Sequence, residues 1–320
     1  MNGWNDLKEY KTRSMIALLL AGIFAIGDMI VPFIITATRT TYMNPLLWML
    51  FGWGGAIIIG LCSMKTIKTY RKEYKDRVVA QAAGNMFDNY QYFPFAGIEK
   101  EEVAMTNMMM MGNRYNSEDL VEGSYKGVPF RRADMYIAQH TSNGKSSHTT
   151  VYLRGTWIVF RYNKNFNTDL QIASKDFGYE KKNTSRLFTR STTRRHAMQT
   201  EDMEFNGMFE CTCQNETEAF YLLTPRVMQM LKLLRNELRA PIMVGFVNNM
   251  LHFAISSRKN HMEPPIFGSL NPALAVEEAR VELKAICNII DAFSMDRSIF
   301  LGETDTKRDN EIFRGDDADW

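Results

Sequence analysis

The chain has little of what a disulfide-stapled domain or an enzyme usually displays. Only four cysteines occur in 320 residues: Cys62, Cys211, Cys213 and Cys287. Such sparse use does not form a disulfide framework and suits a reducing compartment. Charge is almost even, 38 Lys and Arg against 36 Asp and Glu, net +2. That balance gives no global attraction to nucleic acid, and none is expected as a partner. The five histidines, His140, His148, His196, His252 and His261, are scattered along the chain. There is no phosphate-cradling glycine loop, no G-x-S-x-G and no H-E-x-x-H. The expectation is a chain with no catalytic triad, no metal centre and no cofactor.

Apolar weight is concentrated between residues 15 and 64. Met15 to Thr36 reads MIALLLAGIFAIGDMIVPFIIT, and Pro45 to Met64 reads PLLWMLFGWGGAIIIGLCSM. Each is long enough to cross a hydrocarbon core of roughly 30 Å. A cleaved signal peptide fits the first run less well, because the run is too long and a second follows at once. The short link between them, residues 37–44, makes a transmembrane helical hairpin the expectation. Lys8, Lys11 and Arg13 precede the first run, and Lys65, Lys68, Arg71, Lys72, Lys75 and Arg77 follow the second. Cytoplasmic flanks are enriched in Lys and Arg, so both termini are expected inside. Ala17, Ala21 and Ala25, and likewise Gly52, Ala56 and Gly60, recur every fourth residue. Small residues at that spacing let helix backbones approach, within one chain or between membrane proteins. Asp28 is the one ionisable group inside a run. A protonated carboxyl bonded to a neighbouring carbonyl and a polar functional group are its two readings.

The remainder divides by pattern. The expected organisation is a tail over 1–14, the hairpin over 15–64 and a juxtamembrane helical segment over 65–112. A soluble domain over 113–302 and an acidic disordered tail over 303–320 complete it. Met105 and Met108 to Met111 suit adaptable packing better than a soft metal. Short strands are expected at Tyr125 to Phe130, Met135 to Gln139, Thr149 to Leu153, Thr156 to Tyr162 and Leu170 to Ser174. Met203 to Cys213 alternates apolar with polar residues, which predicts one longer strand with Cys211 and Cys213 on its buried face. Thr224-Pro225 opens a helix, Asn248-Asn249 turns a hairpin, and Asn271-Pro272 opens the last helix. The fold class expected is α+β, a mainly antiparallel sheet with two or three packing helices behind the membrane hairpin.

Two stretches are candidates for function. Glu118, Asp119 and Glu122 cluster before a strand, where carboxylates can hold a metal or share a proton. Lys181, Lys182, Arg186, Arg190, Arg194 and Arg195 form a basic stretch without helix or strand period. It reads as a solvated loop or as a contact with an anionic membrane surface.

Several blocks resemble one family. Arg114 to Gly123, RYNSEDLVEG, followed by GVPFRRADMYI, is similar to the opening block of a bacterial family, domain of unknown function 3137. Arg154 to Phe166, RGTWIVFRYNKNF, resembles its second motif, and EAFYLLTPRVMQML its most recognisable segment. FVNNMLHFAI and then MEPPIF look like its closing hairpin. RRADMYI departs from the family pattern by lacking an acidic Ser-Glu pair, and the insertion around Arg190 is a second departure. The resemblance implies two N-terminal spans, a multi-pass protein of the bacterial inner (cytoplasmic) membrane, and no defined activity. The functional expectation is a membrane-held domain that docks or scaffolds a protein or lipid. The alternative is a membrane-bound hydrolase or metal-dependent enzyme using Glu118, Asp119 and Glu122.

Overall fold

The computed structural model describes residues 3–38, 45–144, 146–161, 169–178, 195–247, 250–257, 264 and 269–293. The chain divides into two compact units. One comprises Met1–Ala82 and His261–Arg280, the other Ala83–Asn260 and Val281–Trp320.

The first unit is helical. Its main elements are α1 (Gly3–Thr38) and α2, which runs unbroken from Pro45 to Ala83. The apolar run and the charged juxtamembrane run of α2 are thus one helix, with Glu73 and Arg77 paired at 3.3 Å across one turn. The two helices lie side by side and antiparallel. The Ser63 hydroxyl donates to the Ala17 carbonyl at 3.1 Å, and a Cβ on Gly55 would meet the Phe24 ring at 2.9 Å. Leu7, Ser14, Ser63, Tyr70 and Tyr74 are buried, and Tyr10, Ala17 and Ala21 are half-buried. On α1 those positions recur at three- and four-residue steps, so one stripe faces inward. Small side chains at Ser14, Ala17, Gly55 and Ser63 allow the close approach.

Other faces of both helices are apolar and exposed. Ile16, Leu19, Leu20, Ile23, Ile26, Ile30 and Ile34 on α1, with Ile57, Ile58, Leu61 and Met64 on α2, contribute. Among the described residues one helix, over Asp6–Gly27, is long and apolar enough to cross a membrane. A membrane anchor and a signal sequence both meet that criterion. The second expected span, 45–64, is helical, but most of its side chains lie outside the described residues.

The second unit is built on a nine-stranded antiparallel sheet. Its strands are β1 (Asn89–Phe93), β2 (Arg114–Tyr125), β3 (Val128–Ser142), β4 (Ser147–Arg161), β5 (Leu170–Ser174), β6 (His196–Met198), β7 (Phe209–Cys213), β8 (Ile242–Val247) and β9 (Met250–Ile255). Spatial order is β1-β2-β3-β4-β9-β8-β5-β7-β6. The helices are α3 (Lys100–Met105), α4 (Met203–Met208), α5 (Glu216–Leu222), α6 (Pro225–Leu238) and the Val281–Phe293 part of α7 (Pro272–Phe293). The architecture is α+β, as expected.

Local chemistry explains most boundaries. β2 and β3 join at Lys126-Gly127, both with positive φ, 50° and 76°, the geometry of a two-residue hairpin turn. The strand expected at Tyr125 to Phe130 is therefore corrected: it spans the end of β2, that turn and the start of β3. The Thr224 hydroxyl caps α6 by accepting from the Val227 amide at 3.3 Å, with Pro225 at the first helical position. The long strand expected over Met203 to Cys213 is also corrected. Asp202 caps a helical turn by accepting from the Phe205 amide at 2.9 Å, and only Phe209–Cys213 is strand. Phe205 stacks on Phe209 at 4.7 Å, a contact a continuous strand would not permit. Alternation alone could not distinguish that turn from extended chain. Cys211 and Cys213 do share the buried face of β7.

Both sheet faces are covered. One carries Ala133, Met135, Ile137, Leu153, Trp157, Val159, Ala173, Met243 and Ala254, packed with Ile98, Val103, Met108 and Met109. Met108 and Met109, with Met110 and Met111 against them, are thus packing material, whereas Met105 is exposed. A Cβ on Gly245 would meet the Met108 sulfur at 2.5 Å, so the glycine makes room for that side chain. The other face meets α7, with Phe293 against Phe246 at 6.1 Å between ring centroids.

Candidate functional site

The most developed chemistry in the sheet unit is a pair of polar clusters, one on each face, the first buried and the second half-buried. They arise from two consecutive residues of β3. Side chains alternate along a strand, so Arg131 and Arg132 point to opposite faces.

Arg132 is fully buried. Its guanidinium lies 2.6 Å from both Asp134 and Glu282 of α7, and donates to the Thr156 hydroxyl at 3.2 Å. Burial opposes its charge, while Asp134, Glu282 and Asp119 hold it protonated above its ordinary value. Asp119 is buried too, at φ 59° in a β-bulge between Glu118 and Val121. The Tyr92 hydroxyl donates to its carboxylate at 2.5 Å. The extra residue of the bulge turns Asp119 out of the strand alternation. The cluster fastens α7 to the sheet.

On the opposite face, Arg131 pairs with Glu102 of α3 at 2.5 Å and stands directly across from Glu122 of β2. Burial raises the Glu122 pKa, Arg131 lowers it and Glu102 raises it again. His252 is buried on the same face, where Trp157 donates its indole N–H to Nδ1 at 3.4 Å. Burial first, and the Arg131 charge second, lower the His252 pKa from 6.5 to about 3. A neutral imidazole accepting at Nδ1 carries its proton on Nε2.

That shift has a consequence for stability. The unfolded histidine binds a proton below about pH 6.5, whereas folded His252 stays neutral down to about pH 3. Its contribution is fully present above pH 6.5 and falls with pH between 6.5 and 3, at about 1.4 kcal/mol per pH unit. Urea unfolding of the detergent-solubilised chain across that range is expected to show the slope. His252→Gln is expected to flatten it.

Farther along this face Arg195 closes a loop. It donates to the carbonyls of Thr106 and Asn107 at 2.7 and 3.0 Å and to Gln171 at 2.5 Å, and it pairs with Asp169 at 2.6 Å. Gln171 also donates to the Met108 carbonyl at 2.8 Å. The loop before β2 is thereby tied to β5. Arg195→Lys keeps the charge but loses the planar fork. It is expected to cost about 1–3 kcal/mol and to speed amide exchange over residues 106–111.

The structure sorts the residues singled out from the sequence. Glu118 stands across from Asp134, and Asp119 lies in the Arg132 cluster, while Glu122 faces Arg131 on the other side of the sheet. The bulge divides the three carboxylates, and they do not converge with a histidine. Among the described residues no group of three or more His, Cys, Asp or Glu is placed to hold a metal ion. Arg195 is engaged with Asp169 and the loop carbonyls, whereas Lys181, Lys182, Arg186, Arg190 and Arg194 lie outside the described residues. Ala17 and Ala21 are half-buried on the inner stripe of α1, and Ala25 is exposed. The side chains of Asp28, Ala56 and the positions of Gly52 and Gly60 on their helix lie outside what is described. Sequence reasoning passed over Tyr92, Glu102, Arg131, Arg132, Asp134, Gln171 and Glu282. The signal for the central pair was Arg131-Arg132 itself, two adjacent charges inside a strand.

These features define a class: an α+β protein with an N-terminal apolar helix of membrane-spanning length and a sheet pinned by ion pairs on both faces, fully buried around Arg132 and half-buried around Arg131. A family model described as "Protein of unknown function (DUF3137)" matches residues 151–295. That match covers the chain from within β4 to the end of α7 and supports membership in that family. Among curated proteins there is no match. A solved structure of the mycobacterial trehalose monomycolate transport factor A is similar at 13% identity and a TM-score of 0.39, over 68% of this chain and 93% of that one. A likeness of that size carries no conclusion about this chain.

Proposed function

We propose that this protein is held in the cytoplasmic membrane by α1 and the first half of α2, with both termini in the cytoplasm. The sheet unit then serves as a docking module for a protein or lipid, without an enzymatic step of its own. The observation that carries the anchoring reading is the shared level at which both helices change character. Ser63 meets Ala17, and exposed side chains on one side of that level are Ile, Leu and Phe. On the other side, beyond Ile16 and Met64 at the level itself, they are mainly charged: Lys8, Glu9, Arg13, Lys65, Lys68 and Lys72. A flat boundary shared by two antiparallel helices matches the plane where hydrocarbon gives way to headgroups. The docking reading draws on the sheet unit. Its buried charges are spent on fastening α7 and the 106–111 loop, which supports a rigid platform over a reactive centre.

Crosslinking of the full chain in native membranes, followed by affinity purification, tests docking. A stoichiometric partner lost when surface residues of the sheet unit are changed supports it. A wild-type chain that is folded, inserted and recovered alone contradicts it.

A further inference from the structure

The helical unit carries a feature that its role as an anchor does not require. Ile58, Leu61, Lys65, Lys68 and Lys72 of α2 are all exposed and follow one another at three- and four-residue steps. They form one outward stripe, aliphatic above and lysine below, that changes within a single turn. On α1 the stripe containing Leu20 and Ile16 continues into Arg13, also exposed. The Ala17–Ser63 contact brings both changes to one height. At a rise of about 1.5 Å per residue, Arg13, Lys65 and Lys68 lie within roughly 8 Å of that height, about the depth of a headgroup layer. Acidic residues are few there. Glu9 pairs with Arg13 at 2.6 Å and α2 has no acid between Lys65 and Lys72, while Glu73 and Asp76 stand beside Lys72, whose charge acts on Asp76, and lie farther from the boundary than Lys65 and Lys68.

We infer that Arg13, Lys65, Lys68 and Lys72 form a collar that selects anionic phospholipids, binding their phosphates around the hairpin. The inference rests on the anchoring reading. The argument for this occupant is charge complementarity at fixed depth. Long lysine stems lie along the aliphatic stripe while their ammonium groups reach the phosphate plane. Each such charge near an anionic surface contributes enough to favour anionic over zwitterionic lipid severalfold in total.

The experiment uses the full chain in phosphatidylcholine vesicles. Cys62 is the one exposed cysteine among the four, and it adjoins the boundary. Labelled there with a fluorescent donor, it reports energy transfer to trace acceptor-labelled phosphatidylglycerol or, separately, phosphatidylcholine. The expected result is about threefold or greater local enrichment of phosphatidylglycerol, lost at high salt and in the K65Q/K68Q/K72Q variant. Carbonate-resistant insertion of that variant is expected to be unchanged. Equal transfer to both lipids in the wild type overturns the collar, as does enrichment that survives the triple substitution. Release of the wild-type chain by carbonate overturns the anchoring reading, and the collar with it, and so is distinguishable from failure of lipid selection alone.

Discussion

Arg132→Met is expected to remove about 3–5 kcal/mol of stability from the sheet unit, enough to unfold much of it at ordinary temperature. The fully buried guanidinium is held between Asp134 and Glu282, each 2.6 Å away, with Asp119 close by. Methionine fills similar volume, so the loss comes from stranded carboxylates and not from a cavity. Those carboxylates would have to take up protons or draw in water. The second half of the prediction is the more specific one. Asp134→Leu and Glu282→Leu added to Arg132→Met are expected to restore most of the stability, because a buried ion cluster is often no better than a well-packed apolar one. Thermal unfolding of the detergent-solubilised chain measures both. A single variant that loses less than about 1 kcal/mol would show that the cluster is wetter than its burial implies.

Ile23→Arg is expected to have an effect as large, in the other unit. Ile23 is 66% exposed on α1. At an ordinary water-facing position such a change stays within about 0.5 kcal/mol. Near the middle of a membrane span, an arginine costs about 2.5–3.5 kcal/mol. Ile23→Arg with Ile26→Arg is therefore expected to lower the carbonate-resistant fraction sharply while the sheet unit stays folded. If water surrounds this face, the double variant becomes more soluble and just as stable. The two environments thus predict opposite outcomes for the same substitution.

How much of this was legible beforehand depended on the kind of signal. Composition and run length fixed the apolar part of α1, because hydrophobicity summed over about 20 residues survives any local detail. The helices opened by Thr224-Pro225 and Asn271-Pro272 were readable from capping chemistry, and β5 from its apolar run. The turn of α4 was not, because Asp202 competes with the alternation that follows it, and the outcome depends on Phe205 meeting Phe209. β1, β6 and β2 before Tyr125 were missed as well. The three carboxylates expected ahead of a strand lie inside β2, and β1 lies in the 65–112 segment expected to be helical, where α2 ends at Ala83. β1 and β6 are short outermost strands that depend on pairing with β2 and β7.

The candidate site was less legible than the fold. The cluster of Glu118, Asp119 and Glu122 looked like one unit in sequence, and a single bulged residue split it between two faces. The partners that matter are far away in the chain: Glu282 lies 150 residues from Arg132, and Trp157 lies 95 from His252. Sequence proximity cannot supply such pairs. An adjacent Arg-Arg inside a sheet strand does announce that each face will need an anion, and the structure provides Glu102 for one and Asp134 with Glu282 for the other.

The central claim is that two helices cross the membrane and return the chain to the side on which it began. Single cysteines at Lys8, Thr40 and Lys72, each in a chain carrying Cys62→Ala, test it with a membrane-impermeant maleimide. In intact spheroplasts the account predicts labelling at position 40 alone, with positions 8 and 72 reacting only after the membrane is opened. Labelling of all three from outside, or of none until lysis, would contradict it.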